Sequence, residues 1–354
     1  MHENNKIMSL NISNFRGINN LIVNDLSAVN IFVGANNCGK TSVLEALKLM
    51  SAPTDIGQMV VVALQRAQVS KEQKQKNLVN YMLSIFQNSR DEDHQKYYSI
   101  NMSANINGCN FAYEVDGDEG LIVNTLGESN STLEIAIKTT KDNGKYSYTR
   151  DVLVNGKANN FTEANDPIFK AMYFHSSVSY YYSCVVLLSD YIIKEGKKDI
   201  IHILQTFDKN IEDISIVGSD IYLFNSVSGS MPLFAYGLGT QKAVLFAAAI
   251  VNCKNGVILI DEIDNAIHVS AFEEVFSWLL NACKKYNVQA FITTHSLEAV
   301  DAILNTAHES HADEDLLRVI TLRKSPKDYS TKCRIRTGEE AFNDREQFRM
   351  ELRV

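Results

Sequence analysis

The sequence predicts an α/β protein with a mostly parallel core sheet, to which an antiparallel β-rich and helical region is added as an insertion. In residues 1–50 and in the last third of the chain, short apolar segments alternate with segments of helical periodicity, the order typical of a parallel sheet. In the middle, alternating polarity with turn signals predicts antiparallel strands. At roughly 150 residues per domain, the 354 residues correspond to two or three structural units.

The N-terminal part predicts a strand, a loop bounded by glycines and a helix, in that order. Residues 6–12 and 29–33 are short and rich in β-branched side chains, which indicates strands. Residues 42–50 carry apolar side chains every three or four positions, which indicates a helix. The loop between them therefore leads from a strand into a helix N-terminus, the setting that a phosphate-binding loop requires.

The last third of the chain predicts a second series of strands and helices. Residues 256–260 are continuously apolar, as the central strands of a parallel sheet are, and residues 290–294 are predicted to form another strand. Residues 241–252, 272–286 and 297–304 have the apolar spacing of helices. Strands and helices that alternate at this spacing extend the parallel sheet begun by the N-terminal part.

These patterns divide the chain into three parts. We assign residues 1–50 and 230–325 to the core, and residues 51–229 to an inserted β-rich subdomain and helical lid, with a helix expected at 192–207. Residues 326–354 form a C-terminal basic segment that completes or flanks the core. Turns of the inserted strands are expected at Asn107-Gly108, Asp116-Gly117, Asn143-Gly144 and Asn155-Gly156.

Composition excludes several classes of protein. The longest uninterrupted apolar run, residues 243–251, is far shorter than the ~20 residues that span a bilayer, and the chain begins without an apolar leader. Its six cysteines are scattered without a C-x-x-C pair, which is typical of reduced thiols. We therefore expect a cytoplasmic protein without membrane attachment. The net charge of −8 argues against extensive coating by nucleic acid, which stays open as a partner but is not indicated by charge.

The most specific motif lies in the N-terminal loop, where residues 34–41 match G-x-x-x-x-G-K-[ST] without a gap. Glycines let the backbone wrap an anion, so that successive N–H groups point at the β-phosphate. Lys40 supplies positive charge to the β- and γ-phosphates, and Thr41 offers a hydroxyl to Mg²⁺. The residues expected to bind a nucleotide here are Gly34, Ala35, Asn36, Asn37, Cys38, Gly39, Lys40, Thr41 and Ser42.

Two further strand ends carry polar groups. Asp261 and Glu262 directly follow the strand at 256–260, where one carboxylate can hold Mg²⁺ and the other can orient or deprotonate a water molecule. His295 stands where the strand at 290–294 ends, and ligands gather at the carboxyl ends of parallel strands. The expected catalytic residues are Lys40, Glu262 and His295, and the expected metal ligands are Thr41 and Asp261.

A second glycine-containing segment precedes the helix expected at 241–252. Gly237, Gly239 and Thr240 offer backbone and hydroxyl groups at a helix start, which is a surface suited to anions. The segment lies about twenty residues before Asp261 along the chain, so it does not duplicate the phosphate loop. The alternative interpretation is an ordinary helix N-cap with flexible glycines.

In this order, the motifs resemble those of the ABC-class ATPases, and within that class those of the OLD-like AAA-type ATP-binding proteins, which are related to the SMC and recombination-repair ATPases. The resemblance covers roughly residues 1–50 and 230–305, and the segments that carry it are 12–17, 33–47, 261–268 and 293–296. It implies an ABC-type P-loop NTPase head that uses ATP and Mg²⁺. It also implies that His295 senses the γ-phosphate.

In the family, ATPase heads pair, so the resemblance implies a homodimer or higher homo-oligomer in which Gly237, Gly239 and Thr240 contact nucleotide held by the other copy. The segment departs from the Leu-Ser-Gly-Gly-Gln of transporters, because it reads Tyr-Gly-Leu-Gly-Thr-Gln. Gln58 and Gln65 are the candidates for the family's glutamine loop.

OLD-like proteins often carry a C-terminal TOPRIM nuclease, but only 59 residues follow His295, too few for that domain. The acidic segment 313–315 is better explained as a loop that enters a helix. The resemblance therefore implies a stand-alone ATPase subunit that regulates a separate effector, a toxin or nuclease, in antiphage defence. Two alternatives stay open: a nucleotide-gated scaffold with incidental hydrolysis, and a DNA-repair-type ATPase that binds DNA through its basic C-terminal segment.

Overall fold

The computed structural model describes residues 6–67, 70–87, 89–90, 96–123, 129–142, 144, 146–154, 157–158, 167–175, 181–205, 208–265, 267, 269, 272–311, 316–328 and 330–352. The strands are β1 (Ile7–Phe15), β2 (Ile18–Val23), β3 (Val29–Gly34), β4 (Ser89–Arg90), β5 (Lys96–Ile106), β6 (Cys109–Val123), β7 (Ser129–Lys141), β8 (Tyr146–Val154), β9 (Lys157–Ala158), β10 (Ala171–Phe174), β11 (Ile211–Val217), β12 (Asp220–Asn225), β13 (Gly229–Pro232), β14 (Val257–Ile260), β15 (Gln289–Thr293), β16 (Leu317–Lys324) and β17 (Thr331–Thr337). The helices are α1 (Lys40–Ser51), α2 (Ile56–Gln65), α3 (Lys71–Lys76), α4 (Leu78–Leu83), α5 (Tyr181–Glu195), α6 (Lys198–Leu204), α7 (Leu238–Asn252), α8 (Phe272–Tyr286), α9 (Leu297–Glu309) and α10 (Gly338–Phe348).

A six-stranded sheet in the order β10-β14-β15-β3-β16-β17 forms the core, and all its neighbouring pairs are parallel except β16 and β17. Its central strands β3, β14 and β15 are buried along their whole length, which explains their continuous apolar sequence. Successive side chains of a strand point to opposite faces. Ile31 accordingly packs with the helices α5–α9, whereas Phe32 packs with α1, α2 and β1. The predicted α/β fold with a mostly parallel sheet is confirmed.

A larger antiparallel sheet covers one side of the molecule, in the order β2-β1-β5-β6-β7-β8-β9, with β4 paired to β5. Asn107-Gly108 forms the tight turn between β5 and β6, as predicted, and Asn107 has the positive φ of 53° that such a turn demands. The turn predicted at Asp116-Gly117 is wrong, because both residues lie inside β6 and pair with β5 and β7. The turn predicted at residues 155–156 lies outside the described residues, as does Asn143.

Most predicted helices lie where expected, with two differences. The helix α7 begins three residues earlier than predicted, at Leu238, because Gly237 serves as its N-cap. The continuous helix predicted at 192–207 is wrong, since α5 ends at Glu195 and α6 begins at Lys198. Gly196, between them, has a φ of +86°, a left-handed conformation that ends helices.

The strand pairing crosses the boundaries drawn from the sequence. The edge strand β10 comes from the stretch 51–229, and the opposite edge strand β17 comes from the C-terminal segment 326–354. Conversely, β1 and β2 belong to the antiparallel sheet, although they precede the phosphate loop in the chain. The division into core and insertion stays a prediction. Within the part of the chain that the structure describes, no helix has both the length and the apolar character to cross a bilayer.

Candidate active site

Four neighbouring parallel strands end at the same edge of the core sheet, and each is followed by a polar segment. The phosphate loop follows β3, Asp261 follows β14, Thr294 and His295 follow β15, and His175 follows β10. Parallel pairing places these strand ends side by side, so residues more than 200 positions apart in the chain meet here. The structure thus brings together every residue predicted for the phosphate, metal and catalytic roles except those of the segment 237–240.

The phosphate loop is a tight turn that only glycine permits at its first position. Gly34 has a φ of +145°, and a Cβ there would lie 2.3 Å from the carbonyl oxygen of Leu322. Ala35, Asn36 and Asn37 form the exposed crest, whereas Cys38 is buried beneath it. Gly39, with a φ of +109°, turns the chain into α1, whose N-terminus has no side-chain cap. A helix N-terminus of this kind presents backbone N–H groups to an anion.

Lys40 lies inside the loop that it completes. Its Nζ donates to the carbonyl oxygen of Gly34 at 2.7 Å and to that of Ala35 at 3.0 Å, and the residue is only 5% exposed. Burial lowers the pKa of Lys40, and the nearby Cys38 and Asp261 oppose this shift. The side chain is therefore held under the loop crest, where an ammonium group can contact a bound phosphate.

Two hydroxyl groups hold the carboxylate of Asp261, one from α1 and one from β15. Its Oδ1 accepts hydrogen bonds from the Thr41 hydroxyl at 2.9 Å and from the Thr293 hydroxyl at 2.7 Å. Its backbone N–H donates to the carbonyl oxygen of Phe174 at 2.8 Å, which continues the pairing of β10 with β14. The carboxylate is almost fully buried and its position is determined from three sides.

Glu262 stands next to Asp261 in a backbone conformation that non-glycine residues seldom adopt, with a φ of +51°. Its N–H donates to the Thr293 hydroxyl at 2.8 Å, so the hydroxyl links the two acidic residues. Its carboxylate Oε1 lies 3.4 Å from Nε2 of His295. Both side chains are more than a third exposed. The side chains of Glu262 and His295 thus lie together, accessible to solvent, beside the buried Asp261.

An ion-pair cluster around the buried Glu45 lies behind the phosphate loop. Glu45 of α1 is fully buried and lies 2.8 Å from Nε of Arg16, while Arg66 donates to both of its carboxylate oxygens at 2.9 and 2.6 Å. Arg66 also donates to the Ser42 hydroxyl at 3.1 Å. Burial lowers the pKa of Arg16, and Glu45 opposes that shift. The cluster ties the β1–β2 turn and the end of α2 to the first turns of α1.

The segment 237–240 is separate from the phosphate loop. Gly237 caps α7, Gly239 and Thr240 lie in its first turn, and none of these three residues hydrogen-bonds to the phosphate loop within the described ranges. A Cβ at Gly237 or at Gly239 would meet no atom within 4 Å. Nearby, burial lowers the pKa of Lys242, and Asp264 and Glu262 oppose the shift. The N-terminal part of α7 around Lys242 therefore lies near the acidic segment after β14.

The two glutamine candidates occupy different places. Gln58 donates to the carbonyl oxygen of Lys48 and to the Ser51 hydroxyl, at the C-terminal end of α1. That end lies about 12 Å along the helix from Lys40, at 1.5 Å per residue. Gln65 directly precedes Arg66, which reaches Ser42. The acidic pair in 313–315 lies outside the described residues.

Sequence reasoning missed three residues at this site: His175, Thr293 and Arg66. His175 follows an apolar strand just as His295 does, so the same signal existed, but β10 is only four residues long and lies in the irregular middle of the chain. Thr293 is the last residue of β15, and its hydroxyl role depends on the neighbouring strand. Arg66 has no motif that marks it.

The donor set suits a magnesium ion. The hydroxyl of Thr41 and the carboxylate of Asp261 are oxygen donors that already lie within 2.9 Å of each other. Mg²⁺ takes oxygen ligands, and it usually keeps several waters while one or two protein groups and substrate phosphates complete its shell. Thr41 and Asp261, beside a phosphate loop, fit that requirement.

The fold and the site together define a class of protein: a P-loop ATPase whose architecture is like that of an SMC head. A crystal structure of an SMC head bound to the C-winged helix domain of ScpA matches with a TM-score of 0.51, over 95% of this chain and 99% of that chain. The sequence identity is 13%, so this likeness is one of fold alone.

This chain belongs to the AAA ATPase domain family, whose sequence profile matches residues 6–184. A second profile, whose description names an AAA domain and the AbiEii toxin of a type IV toxin–antitoxin system, matches residues 190–301.

An ATP/GTP phosphatase of Helicobacter pylori is 23% identical over 353 residues, which cover 84% of this chain and 87% of that protein. An uncharacterized protein of Methanocaldococcus jannaschii is 36% identical over 81 residues, which are 23% of this chain and 71% of that protein. The predicted ATPase activity is thereby confirmed, and it implies a bound nucleotide.

Proposed function

We propose that this chain hydrolyses ATP with Mg²⁺ at the edge of the core sheet, that two copies pair around the nucleotide, and that the paired state controls a separate effector protein. The observation that carries the proposal is the hydrogen bond between Thr41 and Asp261, 2.9 Å long, which joins the phosphate loop to the first acidic residue after β14. A hydroxyl and a carboxylate held together beside a phosphate loop are the groups that a nucleotide-bound Mg²⁺ needs.

The phosphate loop and α1 bind the triphosphate in this proposal. Backbone N–H groups of residues 35–41 surround the β-phosphate, and the N-terminus of α1 adds its favourable dipole. Lys40 moves its hydrogen bonds from the loop carbonyls to the β- and γ-phosphate oxygens. Thr41 and Asp261 hold Mg²⁺, which when bound neutralises charge on the phosphates.

Glu262 and His295 act on the attacking water and on the γ-phosphate. The attacking water molecule transfers a proton to the carboxylate of Glu262 while the water oxygen attacks the γ-phosphorus in line. The bond from the γ-phosphorus to the β–γ bridging oxygen breaks in the same reaction. His295, 3.4 Å from Glu262, donates to a γ-phosphate oxygen and so reports whether the terminal phosphate is present. The exposure of both side chains supports this assignment, because water and substrate have to reach them.

Gly237, Gly239 and Thr240 contact the nucleotide held by a second copy. Neither glycine has a positive φ, and neither is crowded by its own chain, since a Cβ at either position would stand in open space. A glycine that its own fold does not require is explained by the close approach of another group, here a phosphate across the dimer interface. The pairing of heads in the family that the sequence resembles supports the same arrangement.

A separate toxin or nuclease is the proposed effector, and antiphage defence the proposed setting, as expected of an OLD-like protein. The profile whose description names the AbiEii toxin covers α7 and the acidic segment after β14, and it supports a link with toxin–antitoxin systems. That the effector is a separate chain is implied by the resemblance to the OLD-like proteins alone. ATP binding and hydrolysis then switch the effector between a restrained and a released state. The effector would bind the paired form, so its activity should follow the nucleotide state.

The decisive experiment is ATP turnover per subunit over a wide range of protein concentration, with Glu262→Gln as the inactive control. If a second copy completes the site, turnover per subunit rises with concentration and is lost in the variant. Sedimentation with a non-hydrolysable ATP analogue should show dimers under the same conditions. Turnover that is independent of concentration while the protein stays monomeric would refute pairing, and turnover retained by Glu262→Gln would refute the role of Glu262.

A further inference from the structure

The basic segment at the C-terminus has no part in the roles above. Its strand β17 forms a hairpin with β16 and is an edge strand of the core sheet. The pairing of β16 with β3 ends at Leu322 and Gly34, whereas its pairing with β17 continues to Lys324. Residues 323–332 therefore project past the end of β3 as a two-stranded ribbon, on the side of the sheet where the phosphate loop begins.

This projecting hairpin carries an excess of positive charge. Residues 323–334 include five lysines and arginines and one acidic residue, Asp328. The carboxylate of Asp328 accepts hydrogen bonds from the N–H and the hydroxyl of Ser330, at 3.2 and 2.8 Å. Lys324 donates to the carbonyl oxygen of Gly17 in the β1–β2 turn. We name the four remaining cations the cationic ribbon: Arg323, Lys327, Lys332 and Arg334.

Every side chain of the cationic ribbon is exposed to solvent. Arg334 lies 4.0 Å from Oδ2 of Asp344, but Arg336 already donates to that oxygen at 2.7 Å. The other three cations of the ribbon form no ion pair within the described ranges. By contrast, arginines that support the fold are covered and paired, as Arg318 is with Asp25 at 2.9 Å. The cationic ribbon is thus available to an external anion.

Two of these cations are placed directly against each other. Arg323 stands opposite Lys332 in the antiparallel register of β16 and β17. Arg334, two residues after Lys332, lies on the same face of the hairpin. Like charges in directly opposite positions destabilise a sheet. Folding therefore gains nothing from this arrangement, and a ligand that brings negative charge to the face would relieve the repulsion.

We propose that the cationic ribbon binds the phosphate backbone of duplex DNA, independently of base sequence. Lys332 and Arg334 are about 6.8 Å apart along one strand, and Arg323 stands on the next strand about 4.8 Å away. Contacts of lysine and arginine with phosphates supply essentially all of sequence-independent DNA binding. The net charge of −8 confines such binding to local basic surfaces, of which this hairpin is one.

The shape of the hairpin favours duplex DNA over other nucleic acids. The major groove of DNA, about 12 Å wide, admits a two-stranded β-ribbon, whereas the major groove of an RNA duplex is deep and narrow. Sites for single strands stack successive bases on aromatic side chains. The sequence of residues 323–334 contains one aromatic residue, Tyr329, which is too few for such a site.

The test measures the affinity for a short fluorescein-labelled DNA duplex by fluorescence anisotropy, without ATP, over a range of salt concentrations. Four phosphate contacts predict a slope of log affinity against log salt of about −3.6. Arg323→Gln combined with Lys332→Gln should bring that slope about 2 closer to zero and weaken binding about tenfold or more at low salt. Arg323→Lys combined with Lys332→Arg keeps both charges and should bind as the unaltered chain does.

The matched control is Lys138→Gln combined with Lys194→Gln, which removes two exposed positive charges from β7 and α5. This control should bind DNA as the unaltered chain does. The unfolding midpoint of Arg323→Gln with Lys332→Gln should be unchanged or higher, because a repulsive pair is removed. ATP turnover is not a readout here, so the result is independent of the proposed ATPase function.

Several outcomes would overturn the inference. These are a salt slope near zero in the unaltered chain, or equal losses in the two glutamine double variants, which would reflect net charge alone. Binding of polyglutamate through the ribbon, without binding of DNA, would assign this face to an acidic protein. Unchanged DNA affinity with self-association of Arg323→Gln with Lys332→Gln would assign the cations to protection of the edge strand β17. Equally tight binding of duplex RNA would overturn the choice of DNA.

Discussion

The hydroxyl of Thr293 contacts both acidic residues that follow β14: it donates to Oδ1 of Asp261 at 2.7 Å and accepts from the N–H of Glu262 at 2.8 Å. One hydroxyl therefore sets the orientation of the proposed metal ligand and the backbone of the proposed base. Glu262 needs such support because its φ is +51°, a conformation that costs energy for a non-glycine residue. The last residue of β15 thus organises the end of β14.

Thr293→Val should impair catalysis more than folding. Valine has the shape of threonine but cannot donate or accept, so the N–H of Glu262 loses this acceptor and Oδ1 of Asp261 loses one of its two threonine donors, at a cost of about 1–3 kcal/mol. We expect turnover to fall by about tenfold or more, and Thr293→Ser to retain most of it. Steady-state ATP hydrolysis measures the loss of turnover, and the unfolding midpoints of the variants and the unaltered chain measure any loss of stability. Normal turnover in Thr293→Val would show that this hydroxyl is dispensable.

Glu262→Gln should separate ATP binding from hydrolysis. The amide keeps the size of the side chain but cannot accept a proton from water, and loss of a general base typically costs about 10²- to 10⁴-fold in rate. We expect nearly normal ATP affinity and accumulation of ATP-bound dimers, measured by equilibrium binding and sedimentation. Glu274→Gln, an exposed glutamate in the first turn of α8, is the control and should behave as the unaltered chain does.

Gly239→Ala should stabilise the single chain and yet weaken activity. Gly239 lies in the first turn of α7 without a positive φ and with open space around its missing Cβ, so alanine fits there and stabilises the chain by roughly 0.4–1 kcal/mol by restricting the unfolded state. The added methyl would, however, obstruct a phosphate that approaches from a second copy. An equal or higher unfolding midpoint with reduced turnover and less dimer is the expected result. Undiminished turnover would argue against a contact in trans at this residue.

Glu45→Leu should destabilise the fold strongly. Glu45 is fully buried and pairs with Arg16, whose side chain is 9% exposed, and with Arg66, whose side chain is 40% exposed, so its removal leaves the buried Arg16 guanidinium without this counter-charge. Breaking a buried ion pair from one side costs about 3–5 kcal/mol. The exposed pair of Glu114 and Lys138 provides the comparison, because Glu114→Leu should lose less than about 1 kcal/mol from that interaction. Denaturant unfolding of both variants measures the difference. If Glu45→Leu and Glu114→Leu lost similarly little free energy of unfolding, the ion pairs of Glu45 would contribute little to stability.

Much of the site was predictable because its residues lie in contiguous motifs. The segment 34–41 carries its own chemistry, since glycine, lysine and threonine must stand at fixed spacing for one loop to bind phosphate. Asp261 and His295 were predictable from a related signal, an apolar strand followed by a polar residue. The roles given to these residues stay proposals, but their gathering at one edge of the sheet follows from the parallel order of the strands.

The sequence by itself determined the α/β class, the phosphate loop and the central strands, because apolar periodicity and glycine positions are local properties of the chain. Only the tertiary structure decided that β10 and β17 are the edges of the core sheet and that β1 and β2 lie in the eight-stranded antiparallel sheet. It alone placed His175 beside Asp261 and Arg66 beside Ser42. Pairing between distant strands depends on register and packing summed over the whole core, which no local pattern encodes.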